Sequence, residues 1–167
     1  MSDSLPDILA PNLSVIFCGL NPGQTAATAG RHFVNRSNRF WRVLYLSGFT
    51  SEQINPEHDR SILTFGYGLT TAVARPTRQA GEVSREEFAL GVVALERKLR
   101  RLTPRAVAFL GKAAYAAVLK KPNVEWGRQA APFAGALAWV LPNPSGLNRN
   151  FSLEALVTAY RELRESL

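Results

Sequence analysis

A single cysteine and two histidines occur in 167 residues. One cysteine rules out an internal disulfide, a zinc cage of several thiolates and a four-cysteine iron–sulfur cluster. Cys18 lies in the apolar run Val15-Ile16-Phe17-Cys18 and reads as core packing. His32 and His58 are far apart and poorly accompanied by other ligands, so neither a metal nor a cofactor is expected. His58 reads as a surface residue, and His32 draws notice only as the neighbour of Phe33 in a loop. No apolar run approaches the roughly 20 residues that span a bilayer. Met1-Ser2-Asp3-Ser4-Leu5-Pro6-Asp7 also lacks the basic start and apolar centre of a signal peptide. A soluble, cytoplasmic protein without membrane contact is the expectation. Gly-x-Gly-x-x-Gly, the phosphate loop and the Gly-x-Ser-x-Gly elbow are absent too. Gly111-Lys112 resembles the tail of a phosphate loop, but Ala106 and Ala113 stand where that loop needs Gly and Ser or Thr. Dinucleotide binding and nucleotide hydrolysis are therefore disfavoured.

What is present is positive charge. Twenty Lys plus Arg oppose thirteen Asp plus Glu, a formal +7, and arginine dominates. Guanidinium forks suit phosphate oxygens, which makes nucleic acid the leading partner class, against the plainer reading of a solvated basic face. The length allows one packed core and is short for two, so one domain over 1–167 is expected, without repeats or linkers.

Leu13 to Leu20 reads as a buried strand ended by Asn21-Pro22-Gly23. Asn38 to Ser47 carries Phe40, Trp41, Leu44 and Tyr45 at helical spacing, with Gly48 as a stop. Gly68 to Val73 reads as a second strand that runs into Arg75-Pro76-Thr77. A helix starts at Ser84, with Glu87 completing a capping box, and its stripe is Phe88, Val92, Leu95, Leu99 and Leu102 before Thr103-Pro104. A strand at Ala106 to Leu110, a helix from Lys112 to Lys120 halted by Pro122, and a strand at Leu137 to Leu141 follow. Ser152 caps a last helix that buries Leu153, Leu156, Val157, Tyr160 and Leu163. Strands alternating with helices predict an α/β three-layer sandwich around a mainly parallel sheet. In such sheets ligands bind beyond the carboxyl ends of the strands. Gly19-Leu20-Asn21-Pro22-Gly23, Arg75-Pro76-Thr77 and Pro142-Asn143-Pro144-Ser145-Gly146 all fall there. Any one of them could be turn punctuation; the three together read as a pocket rim.

Gly19-Leu20-Asn21-Pro22-Gly23, Asn38-Arg39-Phe40-Trp41 and Asn143-Pro144-Ser145-Gly146-Leu147, in this order and spacing, resemble the mismatch-specific uracil and thymine DNA glycosylases of the Mug type. The similarity extends over Asp7-Ile8-Leu9-Ala10-Pro11, Arg75-Pro76-Thr77, Gly111-Lys112 and Ala159-Tyr160-Arg161-Glu162-Leu163. It implies a monomeric enzyme that flips uracil out of duplex DNA at G:U or related mismatches and hydrolyses its N-glycosidic bond, starting base excision repair. Extrusion is required because the bond cannot be reached within the stack, and a mispaired base is extruded at lower cost. By position, Asn21 would hold the attacking water and Phe33 would stack on the flipped base. Backbone groups around Leu20 and Phe33 would meet the uracil edge, with Ala26, Thr71 and Asn143 in the base pocket. Leu147, flanked by Gly146, Asn148 and Arg149, would fill the gap left in the duplex and face the orphaned base.

A carboxamide is no proton acceptor near neutral pH, so Asn21 could orient water but not deprotonate it. Cleavage would then depend on uracil leaving as an anion faced by fixed amide donors, which favours slow turnover and good leaving groups. Plainer readings stand beside each assignment: Asn21 as a pre-proline turn residue, Phe33, Phe40 and Trp41 as core, and Leu147 as an ordinary loop residue. Arg36, Arg39, Arg75, Arg78 and Arg149 are candidate phosphate contacts. Ala26 replaces a serine of some relatives, which would leave room for the 5-methyl group of thymine. Thr71 replaces a lysine and removes a charge. A non-catalytic mismatch binder, and a glycosylase acting mainly on single strands or on other damaged bases such as ethenocytosine, are the competing functions.

Overall fold

The computed structural model describes residues 5–119 and 123–167. Among them, β1 (Val15–Gly19), β2 (Tyr67–Thr71), β3 (Ala106–Leu110), β4 (Gly127–Arg128) and β5 (Leu137–Leu141) form one sheet in the order β2-β1-β3-β5-β4. The first four in that order are parallel, and the two-residue β4 joins β5 antiparallel at the edge.

The central strands are apolar on both faces because each face is covered by helices. On one side, Val15, Phe17, Ala108 and Leu141 pack against α2 (Phe40–Leu46) and α5 (Leu153–Glu165). On the other, Ile16, Cys18, Val107, Phe109 and Val140 pack against α3 (Arg85–Leu102) and α4 (Lys112–Leu119). The period of two along β1 thus feeds two different cores, and the result is the expected three-layer α/β sandwich. Burial pushes the Cys18 thiol up to about 12, which suits a packing residue and not a reactive one. No helix of the described residues is long and apolar enough to cross a membrane.

Helix α3 begins with the anticipated capping box: Ser84 accepts the Glu87 N–H, and the Glu87 carboxylate accepts the Ser84 N–H. Its interior Gly91 is explained by a close approach, since a Cβ there would lie 2.1 Å from the Ala72 carbonyl oxygen at the end of β2. Helix α2 is clamped to α5 at its carboxyl end, where Arg161 and Arg164 donate to the Leu46 and Ser47 carbonyls.

The structure departs from the expected elements at several points. β1 starts at Val15 rather than Leu13, and β2 ends at Thr71, with Ala72 and Val73 still hydrogen-bonded to the carbonyls of Gly19 and Leu20. The short helix α1 (Gln24–Ala29), the 3₁₀ turns over Pro56–Phe65 and the strand β4 had no sequence signal strong enough to register. Phe88, Val92, Leu153 and Val157 are half-buried rather than core, because they sit at the margins of their helices' apolar stripes. Lys120 and Pro122, expected to end α4, lie outside the described residues.

Phe17 is the centre of the first core, with edge-on rings of Phe40, Phe49 and Tyr67 and a stacked Tyr160 around it. Phe17→Ala is expected to cost about 3–5 kcal/mol in urea unfolding.

Candidate active site

The parallel register sets Gly19 level with Thr71, and Leu110 level with Leu141, so four strand ends meet at one sheet edge. The chain reverses its course across the sheet between β1 and β3, and a crevice opens at such a point. A cavity of about 660 Å³ lies there, lined by the residues after β1, by Thr71 and Thr77, by Leu110, by the loop 32–38 and by Asn143, Ser145 and Leu147. That volume is in the range of small-molecule sites.

The loops after β1 and β2 remain joined beyond the strands. Ala72, Val73 and Thr77 donate their N–H groups to the carbonyls of Gly19, Leu20 and Pro22. Asn21 Nδ2 donates to Thr77 Oγ1 at 2.8 Å and to the Arg75 carbonyl at 3.0 Å. The Thr77 hydroxyl spends its own hydrogen on the Gln79 carbonyl, 2.8 Å away, so towards Asn21 it can only accept. This settles which end of the carboxamide is nitrogen. Both amide hydrogens are committed, and among the described residues nothing donates to Oδ1. Asn21 therefore offers the cavity an acceptor alone. Arg75, expected at phosphate, is bound instead to both oxygens of Glu87 and to the Glu82 carbonyl, and holds the Glu87 carboxyl below its ordinary range.

Phe33 has a left-handed φ of 53°, which for a residue with a Cβ costs about 1–2 kcal/mol. Its ring stacks on Phe40 at 4.0 Å between centroids, so one face is packed while the residue lines the cavity. The core reading and the pocket reading of Phe33 both describe part of the residue. His32 is buried and braced: its backbone N–H donates to Asp59 Oδ2, its ring Nε2 lies 2.7 Å from the Pro6 carbonyl, and its own carbonyl accepts from Trp41 Nε1. Burial lowers its pKa, against the Pro6 hydrogen bond and the charges of Asp59 and Asp7. Neutral His32 thus carries its proton on Nε2, towards Pro6.

In the loop after β5, Asn143 Oδ1 accepts the Ser145 N–H, which leaves the Nδ2 end of this cavity-lining amide free of that turn. Ser145 Oγ accepts the Leu147 N–H. Leu147 is 90% exposed at the rim. Asn148 folds back, donating to the Asn143 carbonyl and accepting from the Asn150 N–H. Among the described residues Arg36, Arg78 and Arg149 make no ion pair or hydrogen bond through their side chains. Arg39, expected at phosphate, is turned inward to the carbonyls of this loop. No three metal-ligating side chains converge among the described residues.

The pattern of the uracil DNA glycosylase superfamily matches residues 6–164. The chain belongs to this superfamily. It is a DNA glycosylase, and DNA is its substrate. The solution NMR structure of a candidate uracil DNA glycosylase from Methanosarcina acetivorans superposes with a TM-score of 0.63 at 22% identity, covering 96% of this chain and 97% of that one, which shows a shared fold.

In the glycosylase the cavity brings together Leu20, Asn21, Ala26, Phe33, Thr71, Asn143 and Leu147. Gly146, Asn148 and Arg149 lie beside it on the same loop. Sequence reasoning missed Thr77 as the partner of Asn21, His32 as part of the wall, and Arg39 as a loop ligand. The only sequence signal for Thr77 was its place in Arg75-Pro76-Thr77 at a strand end.

Thr77→Val keeps the shape but removes the acceptor that orients Asn21. Uracil release should fall by roughly tenfold or more, as each 1.4 kcal/mol is tenfold, with Thr77→Ser restoring most of it; single-turnover assays check both. Because the folded pKa of His32 is depressed, the unfolded chain takes up the proton first as pH falls. Its contribution to stability is complete above 6.5 and lost on acidification through the folded pKa. Thermal scans from about pH 7 to pH 5 should show a steeper fall in Tm for the wild type than for His32→Gln.

Proposed function

We propose that this glycosylase is of the mismatch-specific, Mug-like kind: it flips uracil from G:U mismatches in duplex DNA and hydrolyses the bond, acting as a monomer in the cytoplasm. The observation that carries this reading is the Asn21 carboxamide, whose hydrogens are both occupied and whose Oδ1 is left as an acceptor at the cavity wall. An acceptor there can take one hydrogen of a water and aim its oxygen at C1′ of the flipped nucleotide. The C1′–N1 bond breaks with its electron pair leaving on uracil; the water oxygen bonds to C1′ and gives up a proton to solvent, and the departing uracil anion takes one up, so that the sum is hydrolysis.

An amide cannot take that proton at neutral pH. Most of the barrier must then be lowered by the stability of the uracil anion and by donors fixed around it. Asn143 supports this role, since its Oδ1 is engaged by Ser145 and its Nδ2 is the end available to a carbonyl oxygen of the base. Phe33, pressed on Phe40, offers its other face for stacking. Leu147 is the wedge that enters the vacated stack, and Arg149 is the side chain available to the orphaned guanine.

Ala26 in the cavity wall leaves space beside C5 of the base, and the Thr71 hydroxyl is turned to the Val73 carbonyl. Thymine opposite guanine is accordingly the second substrate of this reading, released more slowly because it is the poorer leaving group. Ethenocytosine opposite guanine is a further candidate.

The test is base release from one panel of U·G, U·A, T·G and ethenocytosine·G duplexes and single-stranded uracil DNA. Uracil should be released fastest from U·G. Equal rates from U·A and single strands would remove the mismatch preference, and thymine release no faster than without enzyme would remove the thymine activity.

A further inference from the structure

The exposed wedge stands on a loop with no regular structure, and prolines at 142 and 144 deprive that loop of two backbone donors. Four of its carbonyls nevertheless converge on one side chain. Arg39 Nε donates to Pro144 at 3.3 Å, one terminal nitrogen to Phe151 at 2.7 Å, and the other to both Ser145 and Asn148 at 3.0 Å. The Arg39 backbone N–H also donates to Pro144. Four of the five guanidinium hydrogens are thus spent on the segment that brackets Leu147 on both sides.

Arg39 is itself held firmly. It is the residue immediately before α2, whose Phe40, Trp41, Val43 and Leu44 are buried in the first core. A second contact joins the same two segments: a Cβ on Gly146 would lie 2.6 Å from both Cβ and the carbonyl oxygen of Ser37. The loop is thereby pinned at the residue before Leu147 and clamped around it, while Leu147 itself touches solvent.

We infer that Arg39 is a positioning residue for base extrusion: its guanidinium fork organises the loop carbonyls so that Leu147 is presented rigidly to the duplex. The inference rests on the wedge role proposed above for Leu147. A wedge must displace a base pair without yielding, and a loop free to relax would give way instead. Lysine cannot replace this arginine, because one ammonium with three hydrogens cannot reach four carbonyls spread in the plane of a fork.

The experiment is single-turnover uracil release from a U·G duplex by Arg39→Lys, Leu147→Ala, their double variant and Gly146→Ala, with thermal unfolding of each. Arg39→Lys and Gly146→Ala should each slow release by roughly tenfold, and the double variant should be no slower than Leu147→Ala alone. A merely structural arginine would not produce that non-additivity. A wild-type rate in Arg39→Lys, or losses that multiply in the double variant, would overturn the inference. A wild-type rate in Leu147→Ala would remove the wedge role itself, and this inference with it. Should Arg39→Lys not fold, Gly146→Ala decides, since it displaces the same loop with Arg39 intact.

Discussion

The two hydrogens of the Asn21 carboxamide are held by groups that belong to the loop of a different strand, Thr77 Oγ1 and the Arg75 carbonyl. That cross-brace exists only because β1 and β2 are parallel and end level at Gly19 and Thr71, so that both loops leave the sheet together. The loops stay joined through Gly19, Leu20 and Pro22 carbonyls, and Arg75 ties the second loop to α3 through Glu87. Gly91 lets α3 come close enough to Ala72 for this to happen. Free rotation of a carboxamide would present nitrogen or oxygen to the cavity; the brace leaves oxygen alone, and the role proposed for Asn21 depends on that polarity.

The two cores serve opposite walls of the cavity. The α3 side supports the loop after β2, while α2 and α5 support the loop after β5 and, through Phe40, the ring of Phe33. Tyr160 of α5 donates its hydroxyl to the Pro142 carbonyl at the start of that loop. Polar groups at the rim, already hydrogen-bonded to one another, are thereby anchored to buried elements as well. A site that must stabilise charge with dipoles and no strong base gains from such rigidity, because fixed dipoles need no reorganisation as the charge develops.

Much of this was legible in the sequence. The strands Ala106–Leu110 and Leu137–Leu141 and the capped helices at Ser84 and Ser152 follow from apolar periodicity and side-chain caps, which are local properties. Grouping the three strand-end loops at one edge followed from the alternation of strands and helices. Arg39 and Arg75 were misread because an arginine's partner is set by tertiary contacts: backbone carbonyls over one hundred residues away in one case, a glutamate twelve residues on in the other. Thr77 and His32 were underread for the same reason, since their hydrogen bonds run to residues distant in sequence. The short helix α1 holds three alanines and two threonines, a composition with no amphipathic stripe to announce it.

The most direct measurement is single-turnover uracil release from a U·G duplex by Asn21→Ala, with duplex binding measured in parallel. If Asn21 Oδ1 holds the attacking water, release should fall by about 100-fold or more, in line with the loss of a fixed group acting in the transition state, while binding stays near that of the wild type. Release at the wild-type rate would contradict it.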